Sequence, residues 1–185
     1  MDRYIGCPLQ MRGLEVYTLE DGAGKGMSFA YVRNGRGLEA WISLDRAGDL
    51  SRVSYKGQNM GWFSPCGYVA PAHFGTVGYA KSFTAGFCYT VGLENAGRAC
   101  EDMGETLPQH GTLSMKPATV ISREEDKSGL TLKLRVIDSV MFGSKLVLER
   151  CYRFSYTEDT IALEDTVVNN GDTDSPCMIM YHCNM

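Results

Sequence analysis

Two histidines in polar segments are the residues best suited to proton chemistry in this sequence. His182 lies in Tyr181-His182-Cys183-Asn184, and His110 follows a Pro-Gln pair and precedes Gly111. Imidazole titrates nearest to neutral pH, so either ring can donate or accept a proton with little tuning. In a strand, the Asn184 amide would share a face with His182, and a glycine after His110 lets backbone approach a ligand. The alternative is that both are structural histidines that bond to nearby groups.

Polar residues within apolar frames are the next candidates. Arg46 lies between Asp45 and Asp49, and its guanidinium could offer a fork of donors to sugar hydroxyls. A buried ion-pair turn is the alternative, and it is the role favoured for Asp45 and Asp49. Glu94 and Asn95 form a similar polar pair. We expect these stretches to line one polar pocket together with the two histidines.

Residues 57–111 are rich in glycine, proline and aromatic residues and are predicted to be irregular. A long loop in a compact domain commonly carries function. Aromatic rings stack on the C–H faces of sugars while polar groups bind the hydroxyls, so this composition suits a carbohydrate site. A lid covering one end of a sheet is an alternative and compatible interpretation.

Apolar and polar residues alternate through most of the chain, which predicts β-strands. The clearest cases lie after Pro117, where Leu132, Leu134 and Val136 alternate with Lys133 and Arg135. Turn signals separate these strands at short spacing, and no amphipathic helix is evident. The predicted fold is therefore an all-β, antiparallel sandwich. The apolar run from Cys177 predicts a central last strand covered on both faces, from which His182 emerges.

The composition argues against several classes of binding partner and indicates the location of the protein. A net charge of −4 argues against nucleic acid, which requires a basic face. The sequence contains no apolar run long enough to span a membrane, and its N-terminus lacks a signal-peptide core. We therefore expect a cytoplasmic protein. The seven cysteines include no CxxC pair, so we expect no metal site and predict reduced, mostly buried thiols.

Several motifs together resemble one family. They are Leu44-Asp45-Arg46-Ala47-Gly48-Asp49-Leu50, Tyr55-Lys56-Gly57, Gly61-Trp62, Phe83-Thr84-Ala85-Gly86-Phe87, Gly92-Leu93-Glu94-Asn95-Ala96-Gly97, Pro108-Gln109-His110-Gly111 and Tyr181-His182-Cys183-Asn184. In this order they resemble the aldose 1-epimerase-like proteins of the DUF4432 group. The resemblance implies the galactose mutarotase-like supersandwich fold, a sugar-binding cleft and no cofactor.

The resemblance also implies roles for individual residues. His182 matches the general acid of mutarotases, and His110 matches their substrate-binding histidine. Mutarotases use an arginine upstream of that histidine; here the nearby basic residue is Lys81, and Arg46 competes with it. Gln109, Asn184, Glu94 and Asn95 are the other substrate-binding candidates.

The chain is shorter than the members of this family. We expect a single domain, residues 1–185, that lacks the C-terminal part of the family fold, where the general base of mutarotases lies. Three hypotheses follow: a mutarotase-like enzyme whose base comes from outside this chain, a non-catalytic carbohydrate-binding module, and an incomplete domain stabilised by homo-oligomerisation.

Overall fold

A computed structural model describes residues 4–73, 78–102 and 104–185. The N-terminal half forms a five-stranded antiparallel sheet in which neighbours along the chain are neighbours in space. Tight turns suffice for such a sheet because each strand returns beside its predecessor. Its strands are β1 (Gly13–Thr18), β2 (Ser28–Arg33), β3 (Leu38–Ser43), β4 (Asp49–Tyr55) and β5 (Gln58–Asn59).

A second antiparallel sheet follows the same order. It contains β11 (Ala118–Glu125), β12 (Gly129–Ser139), β13 (Lys145–Ser155) and β14 (Ile161–Asn169). Leu132, Leu134 and Val136 are buried in β12, whereas Lys133 and Arg135 are exposed, as the alternation predicted. Each apolar residue therefore points into the protein and each charged residue points to solvent.

The two sheets pack face to face over one main apolar core. Most of its residues come from β1 to β4 and from β12 and β13, with Cys88 from the later strand, and they include Leu14, Val32, Ile42, Leu132 and Tyr152. Burial of such side chains is the main favourable contribution to folding. The predicted all-β antiparallel sandwich is confirmed.

Short elements occupy the segment predicted to be irregular. They are β6 (Trp62–Phe63), a 3₁₀ turn (Pro71–His73), helix α1 (Tyr79–Ser82), β7 (Ala85–Gly86), β8 (Cys88–Leu93), β9 (Cys100–Asp102), β10 (Glu105–Leu107) and a 3₁₀ turn at Leu113–Met115. Most are too short to give a periodic pattern, which explains why they were not predicted. β8 is fully buried and pairs antiparallel with the last strand, β15 (Met178–Cys183).

Two expectations about burial are wrong. β15 is not a central strand covered on both faces: among the described residues it pairs only with β8, and Met178 and Tyr181 are 42% and 39% exposed. An apolar run fits a buried strand but does not establish which neighbours cover it. The cysteines are free as predicted but not mostly buried, since four of them, Cys7, Cys100, Cys177 and Cys183, are exposed.

Within the part of the chain that the structure describes, no helix has the length and apolar character that crossing a membrane requires.

Candidate functional site

β8 and β15 hold His182 at a fixed place on the sandwich. In their antiparallel register His182 lies directly opposite Tyr89. Directly opposed residues of an antiparallel pair project from the same face. A rigid, hydrogen-bonded pair of strands therefore sets the position of the imidazole.

The loop that carries His110 is folded back onto β8. The backbone N–H of Gly92 donates to the His110 carbonyl at 3.0 Å, and the His110 N–H donates to Gly97 at 2.9 Å. His110 adopts a φ of 64°, an uncommon conformation for a residue with a side chain. Such strained residues cluster at functional sites and persist because the surrounding contacts impose them.

Asn95 builds the turn beneath this loop. Its side-chain amide donates to the carbonyls of Arg98 and Pro108, each at 2.9 Å, and its carbonyl oxygen accepts from the Gly97 N–H at 2.9 Å. Because Asn95 is buried and uses its side chain on the backbone, its observed contacts position the His110 segment.

Two glycines let the loop and the strands come close. A Cβ on Gly111 would lie 2.6 Å from the Gly92 carbonyl oxygen, and a Cβ on Gly92 would lie 2.0 Å from the Met178 carbonyl oxygen. Both distances are far shorter than side-chain contacts allow. The close approach expected at Gly111 therefore occurs, but it is to the β8 backbone of the protein itself.

The pairing of β8 with β15 and the folded-back His110 loop bring the two imidazoles close together. Their ring centroids are 5.1 Å apart and their planes are nearly perpendicular, at 84°. His110 Nδ1 lies 2.9 Å from the Ala96 carbonyl oxygen. A carbonyl only accepts, so Nδ1 carries the proton and Nε2 of neutral His110 keeps its lone pair.

His182 has an unsatisfied nitrogen beside this pair. Its Nε2 is buried and has no hydrogen-bond partner among the described residues. Burial, and then the charge of His110, lower the pKa of His182 below its ordinary value of 6.5. A buried polar atom without a partner is costly, and it is the kind of group that a bound hydroxyl or ring oxygen would satisfy.

Aromatic side chains line the histidine pair. Tyr79 lies 4.6 Å from His110, and Phe83 lies 5.8 Å from His182, both measured between ring centroids. Phe83 in turn packs edge to face on Tyr89 at 4.9 Å. The sequence predicted aromatic residues in this region for a sugar site, but it did not single out these three.

Arg46 lies on the inner side of this aromatic cluster. It is 2% exposed, its Nη1 donates to the Tyr89 hydroxyl at 3.1 Å, and its Nη2 donates to the Val69 carbonyl. Its Nε has no partner among the described residues. In this geometry the guanidinium supports Tyr89 from within the protein, and a fork open to sugar hydroxyls is not observed.

The remaining predicted residues lie at different places. Glu94 accepts a hydrogen bond from the Ser144 hydroxyl, and Lys81 and Gln109 are exposed. Asn184 lies beyond the end of β15, and its amide donates to the His182 carbonyl at 2.9 Å. Its backbone N–H donates to the Phe87 carbonyl at 3.1 Å, so the pairing of this segment with β8 continues by one residue. Across the described ranges, no group of three or more His, Cys, Asp or Glu side chains could hold a metal ion.

Sequence reasoning favoured a buried ion pair at Asp49 but did not identify Arg150 as its partner in a charge network behind β8. Arg150 donates to Asp49 at 2.6 Å, to Asp165 at 2.7 Å and to the Thr90 hydroxyl at 2.8 Å. The exposed Tyr181 hydroxyl also donates to Asp165 at 2.8 Å. The signal was available: Arg150 and Asp165 occupy the apolar parity of β13 and β14, where a charged residue must find a buried partner.

Comparisons with known proteins agree with this architecture. The chain resembles two solved structures: a candidate aldose 1-epimerase from Klebsiella pneumoniae, at 22% identity and a TM-score of 0.81, and a galactose 1-epimerase from Lactobacillus acidophilus NCFM, at 17% and 0.51. They cover 92% and 78% of this chain, which spans 46% and 45% of theirs. The fold is thus a sandwich of the galactose mutarotase-like class.

A comparison with protein-family models identifies the family of this chain. The model of a domain of unknown function, DUF4432, matches residues 24–185, so the chain belongs to that family. The resemblance stated from the sequence motifs is confirmed. A search of curated proteins finds no significant match.

Proposed function

We propose that this chain binds an aldose or a close derivative and carries the acid side of an aldose 1-epimerase site. The observation that supports this most directly is the buried Nε2 of His182, which has no hydrogen-bond partner among the described residues and belongs to a ring that packs against the His110 ring. The surrounding Tyr79 and Phe83 rings offer apolar faces for sugar C–H groups. The likeness to epimerases at the level of fold agrees with the proposal.

The reaction requires an acid and a base. A base takes the proton of the anomeric hydroxyl while an acid protonates the ring oxygen. The bond between C1 and the ring oxygen then breaks to give the open-chain aldehyde. Rotation and reclosure then give either anomer. His182 in its protonated form is the acid of this proposal, and the lowered pKa makes that form a stronger donor but a rarer one near neutral pH. His110 orients the sugar.

We further propose that the base comes from outside this chain. The two histidines that meet at this site are assigned the acid and the orienting role, so the base of this proposal is a separate group. A second candidate function, a non-catalytic carbohydrate-binding module, uses the same two histidines and aromatic rings without acid–base catalysis.

One pair of measurements separates the two candidates. Glucose and galactose are titrated into the protein by calorimetry, and the exchange of their anomers is followed by NMR. Binding with accelerated exchange, abolished in His182→Gln and retained in the exposed control Lys127→Gln, supports the epimerase. Binding without acceleration supports the module, and the absence of binding by any aldose or aldose derivative overturns both.

Two further properties belong to this proposal. Unpaired strand edges promote association, and β15 leaves one edge unpaired among the described residues, so we infer a homo-oligomer. Light scattering checks this, and a monomer at all concentrations contradicts it. Free thiols, four of them exposed, are typical of a reducing compartment, which agrees with a cytoplasmic location.

A further inference from the structure

Two cysteines face each other across the strands that position His182. Cys88 of β8 and Cys183 of β15 are directly opposite in the antiparallel register. The Asn184 N–H donates to the Phe87 carbonyl at 3.1 Å, so the hydrogen bonds flank this pair and do not connect its members. Non-hydrogen-bonded pairs have the closer spacing, with Cα atoms about 4.5 Å apart.

That spacing falls within the range of disulfides, whose Cα atoms lie about 4.4–6.8 Å apart. The two thiols also interact already. Burial is the largest cause that raises the pKa of Cys88 to about 12, followed by the charge of Asp49 and by Cys183, which also shares a hydrogen bond with it. The thiols therefore lie side by side on one face of the strand pair.

The two thiols differ in their access to solvent. Cys183 is exposed, whereas Cys88 is 7% exposed. Oxidants in solution therefore meet Cys183 first, because reactivity follows thiolate character and exposure. Cys88 lies next to it and is shielded from direct attack, which is the arrangement of a reacting and a resolving cysteine.

We propose that Cys88 and Cys183 form a reversible disulfide when the protein meets hydrogen peroxide. The Cys183 thiolate attacks one peroxide oxygen, the O–O bond breaks, and the departing hydroxide takes a proton to become water. The Cys88 sulfur loses its proton and attacks the Cys183 sulfenic acid, and the S–O bond breaks to release a second water. Two thiols are oxidised by two electrons, and the peroxide is reduced to two waters.

The disulfide would form next to His182, at the neighbouring residue pair of β8 and β15. Cys183 directly follows His182 and Cys88 directly precedes Tyr89, and these neighbours form the next pair along the same two strands. The bond therefore ties together the strand segment that holds His182. This inference concerns the thiols alone and does not depend on the proposed sugar binding.

The test is a peptide map of the 185-residue chain after peroxide treatment. Remaining thiols are alkylated, and the protein is digested without reduction by trypsin and chymotrypsin, since cleavage after Tyr181 separates Cys177 from Cys183. We expect a Cys88–Cys183 cross-linked peptide that dithiothreitol removes. The same cross-link is expected in Cys177→Ser, the exposed control, and is lost in Cys183→Ser.

Other products would overturn the inference. These are sulfinic acid at Cys183 without a cross-link, a disulfide from Cys183 to any other cysteine, a cross-link between two chains, and no reaction at either thiol. Because the readout is a covalent peptide, failure of sugar binding leaves this result unaffected, and the two proposals fail separately.

Discussion

Arg150 and Asp49 form an ion pair at 2.6 Å that is almost completely buried, with side-chain exposures of 0% and 3%. The same guanidinium reaches Asp165 at 2.7 Å. Through these contacts Arg150 connects the start of β4 to β14. Through Thr90 it also reaches β8, which supports the candidate site on its other face. The scaffold of the site therefore depends on buried charges whose ion-pair partners lie on different strands.

Removing one member of this network should be strongly destabilising. In Arg150→Ala two carboxylates lose their buried partner, and breaking a buried pair in this way costs about 3–5 kcal/mol. The matched control is Arg153→Ala, since Arg153 pairs with Glu164 on the surface at 2.8 Å, and exposed pairs contribute about 0.2–1 kcal/mol. Urea unfolding followed by fluorescence measures both, and similar losses in the two variants would contradict the assigned role of the network.

The Arg150 network shows which features of the fold can be predicted from the sequence and which cannot. Alternation located β12 and β13 because each strand buries one face against a single core. The same alternation placed Arg150 and Asp165 on the buried face, but it did not reveal that they meet, since partners across strands depend on register. The distant partners of Arg150 are set only when the sheets pack.

The candidate site likewise contains some residues that the sequence could predict and others that it could not. Residue type and motif order singled out His110 and His182, whose chemistry is intrinsic to the imidazole. The aromatic neighbours Tyr79 and Tyr89 were not found, because a ring in a glycine-rich segment looks the same whether it lines a pocket or fills the core. The solvent exposure of β15 depends on its neighbours, which its own apolar run does not encode.

The approach of the His110 loop to β8 should depend on Gly92. In Gly92→Ala the new Cβ would meet the Met178 carbonyl oxygen at 2.0 Å, and the residue would keep a φ of 120°. We expect a loss of about 1–3 kcal/mol or more, because the backbone must move. Gly57→Ala is the control: its φ is 81° but no atom lies within 4 Å, so it carries conformational strain alone. Equal losses in chemical denaturation would exclude steric contact as the cause.

The contact between the two imidazoles should be visible in their titration. His110→Gln removes the charge that contributes to the lowered pKa of His182, so the pKa of His182 should rise. It should stay below the ordinary value of 6.5, because burial is the larger cause and remains. NMR titration of the His182 ring protons measures this. An unchanged or lower pKa, with Lys127→Gln matching the wild type, would show that His110 exerts no electrostatic effect.

The same shift predicts how stability depends on pH. The pKa of His182 is lowered in the folded protein, so between that pKa and 6.5 the unfolded chain binds more protons than the folded one. The free energy of unfolding therefore rises with pH in this window. The contribution of His182 is fully present above pH 6.5 and is lost as the pH falls through the folded pKa. His182→Gln lacks this term, so its unfolding free energy, measured in urea across the window, should decline less steeply with acid than that of Lys127→Gln; parallel curves would contradict the assignment.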